Sequence, residues 1–173
     1  MKNVHLENFF RLSSELLCII DLNGFFTMVN PAFSQLLGYS EKELSQRHYT
    51  SFIHPDDLEQ TGQQAQQLLK GIKVNQFENR YITKDQKIVW LSWTSTTLLD
   101  GFLYAAAQDV TQLKETELSL QTSEKKFRSL VQNGYEIISI IGPEGTYIYL
   151  SDSLYRVLGY GPQELIGVSA LAL

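Results

Sequence analysis

Few residues in this chain have the types and spacing that could do chemistry. They are one thiol, Cys18, two imidazoles, His48 and His54, and the adjacent carboxylates Asp56 and Asp57. The imidazoles lie six positions apart, which suits neither a helix face nor a metal-ligand pair. His54 precedes Pro55 and reads as a turn residue. Asp56 and Asp57 follow where a helix start favours negative charge, so they read as helix-start residues rather than an acid–base pair. Asn30, before Pro31, reads as a helix N-cap rather than a ligand contact. Cys18 sits in an apolar run and reads as buried filler rather than a redox sensor. The sequence has no GxSxG, GxxxxGK[ST], HExxH or CxxC motif. No catalytic role and no metal site are therefore expected of this chain.

The bulk numbers exclude further classes. The chain has 173 residues, 43% hydrophobic and 19% charged, with a formal net charge of −5. A pI near 5.2 without a Lys/Arg cluster argues against nucleic-acid binding, which needs concentrated positive charge. No apolar run is long enough for a membrane span, and MKNVHLENFF has no export pattern. The single cysteine suits a reducing compartment, and a cytoplasmic location is expected.

The elements that must position any site are written twice. NPAFSQLLGYSEKEL (30–44) and SDSLYRVLGYGPQEL (151–165) share five of fifteen positions at an offset of 121. Gly24/Gly145 and Ile20/Ile141 keep that offset. A period of this length is a small domain, not a solenoid unit. In the first copy, runs 16–22 and 25–29 read as strands joined by an Asn23-Gly24 hairpin. A helix follows from Pro31, with Phe33, Leu36 and Leu37 on one face and Gly38 as its C-cap. SEKE (40–43) is a capping box, and a longer helix runs from HPDD through Leu69 to Gly71. Strands are expected near 74–83, 87–98 and 102–109. The order predicts an α+β fold, with an α block inside an antiparallel sheet.

In NxxFxxLLGYSxxEL (30–44), HPDD (54–57), WLSW (90–93) and DVT (109–111) the sequence resembles the PAS family of sensory domains. The resemblance covers about 8–112 and again about 126–173. It implies a five-stranded antiparallel sheet with helices on one face. It divides the chain into a first PAS domain with an N-terminal helix (1–112), a connector or signalling helix (113–131) and the N-terminal part of a second PAS domain (132–173). It also implies a sensory-box role in small-molecule sensing or dimerisation. It implies an effector outside this chain, a histidine kinase of a bacterial two-component phosphorelay or a diguanylate cyclase. The alternative is a ligand-free dimerisation scaffold. Gln46 and Gln86 stand where the family often has glycine.

The resemblance also bears on cofactors. The photoadduct-flavin pattern needs Cys, Asn and Gln where this sequence has Tyr49, Tyr81 and Ala107, and no histidine follows His54 to bind haem. FAD, a small metabolite or an empty core stay open. Strand register decides the pocket. A two-residue Asp100-Gly101 loop would turn Trp90, Ser92 and Thr94 inward. A three-residue loop from Leu99 would turn Leu91, Trp93 and Ser95 inward, and the resemblance favours that choice. The expected pocket is then Cys18, Met28, Asn79, Tyr81, Leu91, Trp93, Ser95, Ala105 and Ala107, with Ile20 and Phe77 on the same inner face. Trp90, Leu99 and Tyr104 face outward, where segment 4–17 with Phe9, Leu12 and Leu16 could cover them. Signal transmission is expected through Asp109 and Thr111, which start the connector, and through Leu113, Leu120 and Phe127. Their spacing of seven marks a weak coiled-coil seam. A homodimer through the N-terminal and connector helices is expected.

Overall fold

The computed structural model describes residues 2–72, 76–133 and 136–171. The chain forms two compact units, Met1–Lys114 and Glu115–Leu173. The first opens with helix α1 (Lys2–Leu12) and strands β1 (Leu16–Asp21) and β2 (Phe26–Val29). Helices α2 (Pro31–Leu37), α3 (Glu41–Ser45) and α4 (Leu58–Leu69) follow, the last preceded by two 3-10 turns (Tyr49–Phe52, Pro55–Asp57). Strands β3 (Phe77–Ile82), β4 (Ile88–Leu99) and β5 (Phe102–Asp109) complete an antiparallel sheet in the order β2-β1-β5-β4-β3. Residues 74 and 75 of the expected strand near 74–83 lie outside the described residues.

Local chemistry accounts for these boundaries. Asn30 caps α2 by accepting the Phe33 N–H, Pro31 occupies the first turn, and Gly38 ends the helix at φ +74°. Ser40 and Glu43 form a complete capping box on α3. His48 and His54 both accept a backbone N–H at the start of a 3-10 turn, from Thr50 and Asp56 respectively. Any side chain at Gly24 would be strained and would displace His48. The Gly24 φ is +83°, and a Cβ there would lie 2.0 Å from the His48 ring.

Two bulges set the inner face. The β4–β5 turn is the two-residue Asp100-Gly101 loop, with both residues at positive φ, not the three-residue loop expected. Thr94 is an extra residue between the Trp93–Ala107 and Ser95–Ala106 pairs. That bulge shifts parity by one, as a longer loop would, so Leu91 and Trp93 still face inward. Beyond the bulge parity reverts. Ser95 is the register partner of Ala106. The Ser95 side chain lies outside the described residues. A second shift, between β1 and β2, pairs Cys18 with Val29 and Ile19 with Met28. Met28 is therefore 51% exposed, against expectation, while Phe26 and Val29 are buried. The core joins this face to Phe33, Leu37, Leu44, Phe52 and Leu68 of the helical layer.

Helix α1 ends at Leu12, and Leu16 already belongs to β1. Phe9 and Leu12 are 77% and 85% exposed, so they do not cover the outer sheet face as the sequence suggested.

The second unit contains most of helix α5 (Thr111–Asn133), hairpin β6 (Ser139–Ile141) and β7 (Tyr147–Leu150), and helices α6 (Ser153–Leu158) and α7 (Pro162–Leu165). Its geometry repeats the first. Gly145 turns at φ +74°, Gly159 ends α6 at φ +79°, and Glu164 accepts the Gly161 N–H as Glu43 accepts that of Ser40. Leu17 N–H donates to the Asn30 side chain, and Ile138 N–H donates to the Ser151 hydroxyl at the same offset. Ile140, Ile141 and Ile148 are exposed while Leu150 and Leu154 are buried.

Candidate functional site: a small cavity between the sheet and helix α4

A cavity of about 60 Å³ lies between the inner face of the first sheet and α4. Strand residues Ile20, Phe77, Asn79, Tyr81, Trp93 and Ala105 form one side. Thr61, Gln64, Ala65 and Leu68 of α4 form the other, with Tyr49 and Leu103 beside them. Of the pocket residues expected from sequence, Asn79, Tyr81, Trp93 and Ala105 line it. Cys18, Leu91 and Ala107 are buried on the same face but not against the cavity, and Met28 is outside. The α4 residues and Tyr49 were missed. A polar–apolar pattern shows which side of a helix is buried, but not where that side leaves a gap.

The polar groups are ordered by one chain of hydrogen bonds. The Trp93 indole N–H donates to Asn79 Oδ1 at 2.8 Å, and Asn79 Nδ2 donates to Thr61 Oγ1 at 3.1 Å. Thr61 in turn donates to the Asp57 carbonyl at 2.7 Å. Asn79 can hold this place on a buried strand because both ends of its amide are matched. Burial pushes the Tyr81 phenol well above its ordinary pKa, with the Cys18 thiol and the Tyr49 phenol adding to the rise. Burial also raises Tyr49. Both phenols stay neutral, and among the described residues no charged side chain lines the cavity. Cys18 is pushed up to about 12 by burial, which leaves a thiol rather than a reactive thiolate. A second hollow of about 190 Å³, bordered by Asp21, Asn23, Gly24 and His48, shares Tyr49, Ala65, Leu68 and Leu103 with the cavity wall.

This volume discriminates between occupants. An apolar cavity of about 150 Å³ holds benzene, so 60 Å³ suits a few waters or a molecule of a few heavy atoms. A volume of about 60 Å³ is by itself too small for FAD. Tyr49 and Tyr81, at the places where the photoadduct pattern needs Cys and Asn, both occupy cavity wall. Among the described residues no group of three metal-ligating side chains converges.

Beyond the cavity, Asp57 holds Arg80 of β3. Its carboxylate accepts from Arg80 Nε at 3.0 Å, from Nη2 at 2.6 Å and from the backbone N–H at 2.7 Å. Arg80 lowers the Asp57 pKa, chiefly through the side-chain hydrogen bonds. At the start of the connector, Asp109 accepts both the backbone N–H and the hydroxyl of Thr111. Leu113, Leu120 and Phe127 lie exposed along α5.

A family model described as PAS fold matches residues 26–101, and one described as PAS domain matches residues 135–173. The chain belongs to the PAS family. It is 29% identical over 119 residues to the probable diguanylate cyclase DgcE of Escherichia coli (strain K12), covering 65% of this chain but only 11% of that protein. A domain of the sensory box sensor histidine kinase/response regulator from Geobacter sulfurreducens superposes with a TM-score of 0.56 at 20% identity, covering 62% of this chain and 94% of that domain. The PAS domain of an HTR-like protein from Haloarcula marismortui gives 0.51 at 26% identity, covering 62% and 96%. PAS domains are sensory modules and not catalytic domains. Among the described residues no helix is long and apolar enough to cross a membrane.

Proposed function

We propose that the chain is the sensory part of a bacterial, cytoplasmic signalling protein. Residues 1–112 form the sensing PAS domain, 113–131 the connector, and 132–173 part of a second PAS domain. The effector it regulates lies outside this chain and is a histidine kinase or a diguanylate cyclase. The curated relative, a probable diguanylate cyclase, and the sensory box histidine kinase neighbour support both kinds of output. One observation carries the sensing role. A cavity between the sheet and α4 is lined by the neutral polar groups of Tyr49, Thr61, Gln64, Asn79 and Tyr81, with no charged side chain among the described residues. Such a site selects a small uncharged molecule that both donates and accepts hydrogen bonds, since an anion or cation would be desolvated without a partner. The chain works as a homodimer. Leu113, Leu120 and Phe127 on α5, with Phe9 and Leu12 on α1, are apolar surface available to a second copy.

A second reading, a ligand-free dimerisation scaffold, draws on the small volume, which a few waters would fill. Native mass spectrometry of the purified chain, with an absorbance scan, separates the two. A co-purifying mass of small-molecule size supports sensing. An empty dimer supports the scaffold, and an empty monomer overturns both. Absorbance near 450 nm would show a bound flavin and overturn the size argument.

A further inference from the structure

We propose that Asp57, Arg80 and Trp90 form a clamp that ties the α4 wall of the cavity to the first turn of the connector helix. The clamp gives the proposed sensing role a physical route to α5, but it can be tested with no ligand present.

The route begins inside the cavity. Thr61 receives the Asn79 amide and donates to the Asp57 carbonyl one turn earlier. It therefore fixes the residue whose carboxylate grips Arg80. That carboxylate also takes the Arg80 backbone N–H, an edge donor of β3 that no neighbouring strand pairs. The Arg80 guanidinium carbon lies 5.4 Å from the Trp90 ring centroid, and the two residues are register partners on β3 and β4. A second cation, Lys114 of α5, lies 5.7 Å from the same ring and makes a 2.7 Å ion pair with Glu78 of β3. The Trp90 backbone is tied to the same turn of α5. Its N–H donates to Thr111 Oγ1 at 2.9 Å, and its carbonyl accepts the Val110 N–H at 2.9 Å.

Trp90 thus meets both the cation held by Asp57, at the start of α4, and a cation from the first turns of α5. Each cation has its own carboxylate, Asp57 and Glu78. If Thr61 shifts, Asp57 shifts with it, Arg80 must follow to keep three hydrogen bonds, and the ring under Arg80 carries Thr111 and Lys114. Polar and ion-pair contacts of this kind are short-ranged and directional, so a displacement of tenths of an ångström is passed on rather than absorbed.

The test is amide hydrogen exchange, resolved by peptide across residues 111–120, on the chain and its variants. Thr61→Val keeps the shape, removes the hydroxyl at the cavity end, and touches nothing in α5. It should speed exchange in the first turns of α5 by about 3- to 30-fold, the range of known coupling effects. Exchange in β1 and β5 should be unchanged. In an Arg80→Gln background, where α5 exchanges faster from the start, adding Thr61→Val should produce no further change. Lys87→Gln, which breaks the nearby Lys87–Asp85 pair at 2.7 Å, should leave α5 untouched. Unchanged α5 exchange in Thr61→Val would overturn the clamp. An equal acceleration with and without Arg80→Gln would also overturn it, because the effect would then bypass the clamp. If Thr61→Val loosens the whole domain, Asp57→Asn is read the same way. A loss of protection confined to residues 54–61 and 77–82 would make the contacts a local staple and refute the proposal. A ligand-free protein that passes these tests keeps the clamp while losing the sensing role.

Discussion

Replacing Trp93 by alanine tests the inner face of the sheet most directly. The indole is 7% exposed, lies 5.8 Å from the Tyr81 ring and 6.5 Å from the Phe33 ring, and donates to Asn79. Truncating a buried Trp costs about 3–5 kcal/mol in lost transfer and cavity formation. Leaving Asn79 Oδ1 without its donor adds about 1–3 kcal/mol. Water entering the enlarged cavity would meet Asn79 and offset part of that second cost. We expect a net loss of about 4 kcal/mol, and with m near 2 kcal/mol/M a urea midpoint lower by about 2 M. Trp93→Phe keeps most of the ring and should cost about half as much. Trp90→Ala removes only a half-buried ring and its two cation contacts, so about 1–2 kcal/mol is expected. The chain has two tryptophans, so each variant leaves one fluorescent reporter for its own melt. Trp90→Ala costing as much as Trp93→Ala would refute the bulged register.

Asn30→Asp should destabilise nearly as much as Asn30→Ala, about 3 kcal/mol in urea melts, although Asp is an equally good N-cap, because Asn30 Nδ2 donates to the carbonyls of Phe10, Ser13 and Glu15. Cys18, with its pKa near 12, should resist iodoacetamide at pH 8 in the folded protein and react at an ordinary rate in urea. Arg80 depresses the Asp57 pKa, so the stability this pair adds is fully present above the ordinary carboxylate range and is lost as pH falls through the lowered folded value. Melts of wild type and Asp57→Asn should therefore differ at pH 7 and converge at strongly acid pH. Glu117→Pro should break α5 at a local cost of about 3 kcal/mol and leave the urea melt of the first unit unchanged.

Much of the architecture was legible in the sequence because it depends on short-range chemistry. Asn30-Pro31, Gly38, Ser40–Glu43 and the Asn23-Gly24 turn specify their own boundaries through caps and backbone dihedrals that neighbours within four residues determine. Repetition of the same signals at an offset of 121 revealed a second copy, and its capping and turn geometry matches the first. Strand alternation placed Cys18, Asn79 and Tyr81 inside, while Leu91 and Trp93 were placed there by the family resemblance and face inward because the Thr94 bulge offsets the two-residue loop. Other features depended on long-range pairing. The bulge at Thr94 and the shift beside Ile19 cannot be read from one strand, because a bulge is a mismatch in length between two strands. The shift beside Ile19 moved Met28 outward. The cavity exists only where α4 meets the sheet, so Thr61 and Gln64 gave no signal in the sequence, and Tyr49 was marked only by its place in the family's flavin pattern. The grip of Asp57 on Arg80, residues separated by 23 positions, likewise arises only when the edge strand folds back beside the helix start. Local free energies choose the elements, and only their packing decides which polar groups meet.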